Sequence, residues 1–191
     1  MESILNKADS DTNLSGIARL LYLPTSPLDD PTDINHRRLD PSQFPRVGIA
    51  ASDIEVDTDE IFYSNGDDAQ WYTTEFVAEE CAWSTEEEET AQGTIYREKI
   101  SWSVAKNYDF RREIFDDMEG REFMVIVIDR NDNRRLLGYV SFDNLFKGMR
   151  FSKKMTTGSK RSDRNYWTLE FSLESHCQPW LVKPAIAIQT Q

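Results

Sequence analysis

Residues 122–140 read EFMVIVIDRNDNRRLLGYV. Phe123, Met124, Val125, Ile126, Val127 and Ile128 form an unbroken apolar run rich in β-branched side chains. Such a run predicts a strand buried on both faces. It stops at Asp129-Arg130-Asn131-Asp132-Asn133, a polar stretch in which Asn and Asp tolerate turn geometry and bond their own backbone. Leu136-Leu137-Gly138-Tyr139-Val140 follows at once as a second apolar segment. Strand, polar turn, strand is a β-hairpin, and this one is apolar enough to lie at the centre of a sheet.

The flanks extend the same pattern. Residues 107–119 predict a helix: Asp109 caps it, Phe110, Ile114, Phe115 and Met118 share a side, and Gly120 ends it. Residues 94–105 predict a strand with Tyr96, Ile100, Trp102 and Val104 on one face. Residues 147–164 read as a basic loop around the glycine turn Thr156-Thr157-Gly158-Ser159. Residues 166–173 alternate cleanly, with Trp167, Leu169, Phe171 and Leu173 pointing one way.

Residues 14–23 predict the first strand, ending at Pro24. Residues 24–45 hold Pro24, Pro27, Pro31, Pro41 and Pro45, a loop of about 20 residues of the kind that is usually functional in a compact domain. Either a surface excursion or contact with a partner accounts for it. Residues 47–56 and 61–63 are short strand candidates, separated by the turn Asn65-Gly66-Asp67-Asp68 from residues 70–78. There Tyr72, Thr74, Phe76 and Ala78 alternate with Trp71, Thr73, Glu75 and Val77, as in a half-buried strand. Glu86–Glu89 reads as an acidic turn. The expectation is a mainly β chain of roughly seven to nine strands without internal repeat, an antiparallel β-sandwich or barrel with one flanking α-helix. It forms one domain over residues 1–191, with an N-terminal arm 1–13, a proline-rich insertion 24–46 and a C-terminal extension 179–191.

A chain of 191 residues, 39% hydrophobic and 12% aromatic, buries a real core. No apolar run approaches the roughly 20 residues that span a bilayer. The start, MESILNKADSDTN, lacks the basic and apolar regions of a signal peptide, so synthesis in a cytoplasm without export by that route is expected. Cys81 and Cys177 are far apart without ligand-like spacing and read as structural thiols.

The net charge of −12 argues against a general nucleic-acid binder. Its distribution says more. Residues 53–89 hold 14 acids and no Lys or Arg, whereas residues 147–164 hold 7 bases and one acid. The plain reading is a solvated acidic face and a mobile basic loop. The sharper one is a pair of surfaces that attract a neighbouring copy through opposite charge. The candidate interface is Lys147, Arg150, Lys153, Lys154, Lys160, Arg161 and Arg164 against Glu86, Glu87, Glu88 and Glu89.

Catalytic patterns are missing. His36 and His176 stand outside any HxxxH or HxxE spacing, and nucleophile-elbow, P-loop and GxGxxG motifs do not occur. Glu86–Glu89 lacks the turn glycine of a calcium loop, and nothing in the spacing of 34 acids selects a glycosidase pair. No catalytic residue, metal ligand or cofactor is expected. Trp71, Trp83 and Trp180, read as exposed, suit stacking on sugar rings, although core or interface packing is the commoner use of such side chains.

Three groups of residues carry a resemblance. Ser15-Gly16-Ile17-Ala18-Arg19-Leu20 stands near the start. Ile126-Val127-Ile128-Asp129-Arg130-Asn131 follows, with Arg135-Leu136-Leu137-Gly138. Thr157-Gly158, Ser162-Asp163-Arg164-Asn165-Tyr166 and Leu169-Glu170-Phe171-Ser172-Leu173-Glu174-Ser175 complete the set. In this order they resemble a group of small virion proteins encoded by phages and prophages of Bacteroidetes bacteria, over residues 14–182. That group looks like phage tail-tube proteins, in which a β-sandwich or barrel with a flanking helix assembles into stacked rings. The resemblance implies a non-enzymatic virion protein of the tail or neck, made in the host bacterial cytoplasm. It implies a homo-oligomeric ring of about six copies that contacts other tail or neck proteins and lets DNA pass without specific binding. The insertion and the C-terminal tail are longer than a minimal tube subunit needs, which favours a neck ring or adaptor. A carbohydrate-binding β-sandwich module on a host-facing phage appendage is the alternative; a carboxylate-dependent hydrolase is a third reading.

Overall fold

The central apolar run forms the strand that both halves of the molecule share. In the computed structural model, residues 16–26, 39–47, 61, 63, 66, 68–74, 76, 80–105, 109–156 and 166–182 are described. The elements are β1 (Ile17–Pro24), β2 (Tyr72–Thr73), β3 (Ala82–Thr90), β4 (Gly93–Ala105), α1 (Asp109–Met118), β5 (Glu122–Asp129) and β6 (Arg134–Leu137). They continue through β7 (Tyr139–Val140), β8 (Phe146–Lys147), β9 (Met149–Thr156), β10 (Tyr166–Ser175) and β11 (Trp180–Leu181). The nine-stranded sheet runs β11-β6-β5-β9-β10-β4-β3, with β1 against β5 and β2 against β1; β7 and β8 form a separate pair. Pairing between the named strands is antiparallel. The main order ends at β3 and β11, so the arrangement is sandwich-like and not a closed barrel.

β5 is the junction. One of its edges pairs with β1 along Phe123 to Asp129. The other edge is divided: Glu122 and Phe123 pair with β9, and Val125 to Ile128 pair with β6. Alternate side chains enter two cores, as a period of two requires. Met124, Ile126 and Ile128 pack with Leu21, Leu23, Leu136 and Trp180. Phe123, Val125 and Val127 pack with Ile100, Trp102, Phe151, Leu169 and Phe171. The six apolar residues Phe123 to Ile128 are all buried, as their sequence demanded. In the second core Phe123, Phe151 and Phe171 have ring centroids 5.3–6.2 Å apart in tilted and edge-on geometry, which favours aromatic contact over a flat sandwich.

The polar turn closes through Asp129. Its carboxylate accepts from the Asn131 and Asn133 amides, each at 2.8 Å, and from Asn133 Nδ2 at 2.7 Å. Desolvation pushes the Asp129 carboxyl up, and these hydrogen bonds outweigh it, leaving the group below its usual range.

Several expectations change. The second hairpin strand is broken at Gly138, whose φ of +116° ends β6; Tyr139 and Val140 then pair with β8 instead. The positive φ selects glycine at 138, and a Cβ there would also displace the end of the Met124 side chain, whose sulfur would stand 2.6 Å away. The basic loop over residues 147–164 is in large part the strand β9: Met149 and Phe151 face the core while Arg150, Ser152 and Lys154 face away, a period hidden under a basic composition. Glu86–Glu89 is not a turn but the outer half of β3; the chain reverses at Ala91-Gln92, before Gly93 at φ +117°.

In the helix, Met118 is buried and Phe115 packs on the second core, whereas Ile114 is exposed, so the apolar side is narrower than its spacing suggests. Of residues 70–78 only Tyr72–Thr73 pair as a strand, with Glu75, Val77 and Ala78 outside the described residues. Residues 48–60 also lie outside them.

The extensions contribute to the core where they are described. Leu39 bridges Tyr63, and Phe44 meets Phe146 edge-on with centroids 5.5 Å apart, so the end of the proline-rich insertion is packed. Trp180 and Val182 are buried and β11 pairs with β6, which makes the first residues of the C-terminal extension part of the sheet. The arm 1–13, residues 27–38 and residues 183–191 are outside the described residues.

Candidate functional site

The acidic half of the candidate interface lies on the last strand of the sheet among the described residues. Glu86, Glu87, Glu88 and Glu89 are all exposed on β3, which ends the strand order. Register about the Ala91-Gln92 turn sets Glu86 opposite Arg97 and Glu88 opposite Ile95. Arg97 binds Glu88 at 2.6 Å and Glu174 of β10 at 3.4 Å, and Lys99 binds Glu170 at 2.6 Å. Arg97 is held above its usual value, first by the Glu88 hydrogen bond. These exposed pairs tie β3, β4 and β10 laterally, and solvent screening keeps the contribution of each small. A row of like charges on an open edge opposes pairing with a second strand of the same sign.

The basic half is divided by the fold. Lys147 is exposed on β8, and Arg150 and Lys154 are exposed on β9, on the face away from the second core. Lys153 points the other way. It lies opposite Leu169, is 14% exposed, pairs with Asp116 of α1, and places its ammonium 5.8 Å from the Trp167 ring centre. Lys153 is therefore an internal tie between helix and sheet and not a free interface charge. That hydrogen bond is the first cause holding the Asp116 carboxyl below its usual range. Lys160, Arg161 and Arg164 lie outside the described residues.

β10 and β4 separate β9 from β3, so the two strands are about 14 Å apart at the usual spacing, and the register carries Arg150 level with Ser84 and Lys154 past the start of β3, farther still from Glu86–Glu89. Among the described residues the two halves do not pair within the subunit. The cation that does meet the acidic row is Arg97, on Glu88, which counting charge by stretches passed over; Lys99 meets Glu170 of β10 instead. Hairpin register carried part of that signal: it sets Arg97 opposite Glu86, and the ion pair forms with the diagonal neighbour Glu88. Between the charges, Ser84, Ser101, Ser103, Ser152, Thr168 and Ser172 occupy the same outer face.

Glu98 went unnoticed in the sequence because it lies among strongly alternating apolar positions. It is 2% exposed on the inner face of β4. Its Oε2 accepts from Trp83 Nε1 at 2.6 Å and from Thr85 Oγ1 at 2.7 Å. Its Oε1 is buried without a hydrogen-bond partner. A small gap, with room for about one water, lies beside it, with Tyr139, Gln178 and Trp180 among its walls.

The tryptophans read as exposed are not. Trp180 is buried and Trp71 packs against the first core, while Trp83 packs against the second and is tied to Glu98, so they form no common open platform. Cys81 and Cys177 are free thiols; burial pushes Cys81 up to about 12 and also raises Cys177. His176 sets Nδ1 3.1 Å from the Thr94 carbonyl oxygen, and His36 lies outside the described residues. Among the described residues no three His, Cys, Asp or Glu side chains group as a metal site, and no helix is long and apolar enough to cross a membrane. No family model, curated protein or solved structure matches the chain.

Proposed function

We propose that this chain is a non-enzymatic structural subunit of a bacteriophage tail or neck, assembling with copies of itself into a ring of about six. The observation that carries the reading is the separation of charge on one rigid sheet. The acidic edge strand β3 and the exposed bases Arg150 and Lys154 of β9 are held on the same sheet but three strands apart. On this reading the two surfaces meet in a neighbour, head to tail. A heterologous contact of that kind closes into a ring when its rotation divides the circle. The excess of acid repels the phosphate backbone, which suits a lumen that DNA traverses without binding. Other tail or neck proteins stack on the ring, and the virion is its place.

A carbohydrate-binding module draws less support, because Trp71, Trp83 and Trp180 are packed into two different cores and offer no shared groove. Negative-stain images of the purified protein test the proposal. Rings or tubes at low salt are expected. Monodisperse single subunits at every salt concentration and protein concentration would overturn it.

A further inference from the structure

Among the described residues Phe142 is the most exposed large apolar side chain, at 78%. It stands at the tip of the β7–β8 hairpin, and Leu145 is exposed beside it. The tip is held in place by its own hydrogen bonds. The Asn144 amide donates to the Ser141 carbonyl oxygen at 3.0 Å, the Ser141 amide to the Leu145 carbonyl oxygen at 2.8 Å, and the Leu145 amide to Ser141 Oγ at 3.1 Å. Asn144 takes φ +57°, a left-handed conformation that asparagine tolerates better than most residues. The root is packed as well: Phe146 meets Phe44 edge-on, and Val140 donates to Pro45 and accepts from Val47. Turn geometry by itself favours proline at the second position, where Phe142 stands. Exposed apolar residues scattered singly are ordinary, but two on one fixed turn form a rigid knob that is ordered before it touches anything.

A surface that fits the knob lies over the other core. Met155 is exposed on β9, opposite Trp167 in register and on the side of the sheet that carries Lys153. α1 runs back along this strand: the Gly120 amide donates to the Phe151 carbonyl oxygen at 3.0 Å, and Asp116 pairs with Lys153. One further helical turn, about 6 Å and equal to two strand residues, brings Arg112 level with Met155. Arg112 is exposed and reaches Asp116 at 3.7 Å, and Ile114, within the same turn of α1, is exposed too. Trp167 belongs to the second core, whereas Val140 and Phe146 root the knob in the first. β5 sends alternate side chains into these two cores, so knob and receiving surface are set on opposite faces of that strand. They are complementary in kind: Phe142 and Leu145 with an acid, Asp143, against Met155 and Ile114 with a base, Arg112.

We propose that the β7–β8 tip docks on a second copy of this chain, with Phe142 against Met155 and Ile114 and with Asp143 facing Arg112. Two different patches of one chain make a head-to-tail contact. A methionine thioether adapts its shape to an aromatic ring, and a buried aromatic anchor suits the centre of such a contact. The docking rests on the reading that copies of the chain assemble, and not on the charged surfaces of β3 and β9. An anionic lipid surface is a poorer occupant, because Asp143 at the tip opposes it.

Sedimentation velocity of the parent and of Phe142→Ser tests it. The substitution lies in solvent and should leave circular dichroism and melting temperature unchanged, while the protein concentration at half-assembly rises about tenfold. The deficit should persist at high salt, where steering by charge is screened. Phe142→Cys subunits mixed with Met155→Cys subunits and treated with a short bismaleimide should give linked peptides that join positions 142 and 155, read by mass spectrometry. A parent that stays monomeric at every concentration removes the assembly reading and this docking with it. A parent that assembles while Phe142→Ser assembles equally, or links between two copies of position 142 in place of 142 with 155, overturns the docking alone. Binding to phosphatidylcholine vesicles that is lost in Phe142→Ser while assembly is unchanged would also overturn it, by assigning the tip to lipid.

Discussion

Gly148 lies directly against the backbone of Phe123. A Cβ at Gly148 would stand 2.8 Å from the Phe123 carbonyl oxygen and 2.9 Å from its nitrogen, closer than side-chain carbons approach backbone. This contact is where β9 enters its short pairing with β5, Phe123 opposite Met149, and joins the two halves of the sheet. Gly148→Ala forces the strands apart and should cost about 1–3 kcal/mol, as overpacking does in a close-packed interior. Urea unfolding should show a lower midpoint at unchanged slope. A variant as stable as the parent would mean that the approach is not needed.

Ile126 is completely buried on β5, in the core shared with Leu21, Leu136 and Trp180. Ile126→Asp places an unpaired charge there at a cost of several kcal/mol, a large part of the stability of a domain. Soluble expression should be abolished. A soluble Ile126→Asp protein with native circular dichroism would remove β5 from the centre of the fold.

The Lys153–Asp116 tie makes stability depend on pH in a defined direction. The Asp116 carboxyl is held below its usual value, chiefly by the hydrogen bond from Lys153. A group depressed on folding stabilises fully above its unfolded value of about 3.9, and the contribution is lost as pH falls through the lower folded value. Lys153→Met keeps the stem over Trp167 and removes the charge. Its melting temperature should lie below that of the parent at pH 7, and the gap should close as acid is added through and below the unfolded value. A gap that is constant across this range would assign the effect to packing alone.

Charge reversal in the basic half addresses assembly. Arg150, Lys154, Lys160 and Arg161 replaced by Glu should leave the subunit folded and slow ring formation, whereas Lys153 must be spared because it serves the fold. Rim charges act through steering and are screened beyond about 8–10 Å at physiological salt, so the parent should also assemble more slowly as salt rises. Exchanging Glu86–Glu89 for Lys in the reversed variant should partly restore the rate. Sedimentation velocity at low and high salt reads all of these, and an unchanged assembly rate in the reversed variant at both salts would leave charge without a role.

The sequence by itself determined the elements whose side chains answer only to water. Phe123 to Ile128 is apolar without a break, so both faces of β5 had to be buried, and they are. The alternation of Ile100, Trp102 and Val104, and of Trp167, Leu169 and Phe171, likewise declared β4 and β10 and their inward faces. The polar residues 129–133 declared the turn, and Asp129 closes it. Only the tertiary structure decided where charge belongs. Four glutamates in a row read as a turn, but β4 gives them a strand to pair with, and the open edge keeps their carboxylates in water. Lys153 and Lys154 are adjacent in a basic run, yet the pleat sends one under α1 to Asp116 and the other to solvent. β6 ends at Gly138, whose positive φ lets Tyr139 and Val140 pair with β8 instead. Glu98 carries a buried free oxygen because Trp83 and Thr85 arrive from β3 and occupy the other. Periodicity along a chain reports which side chains avoid water; the partners of a charge are set by register and strand order, which bring together residues that lie far apart in the sequence.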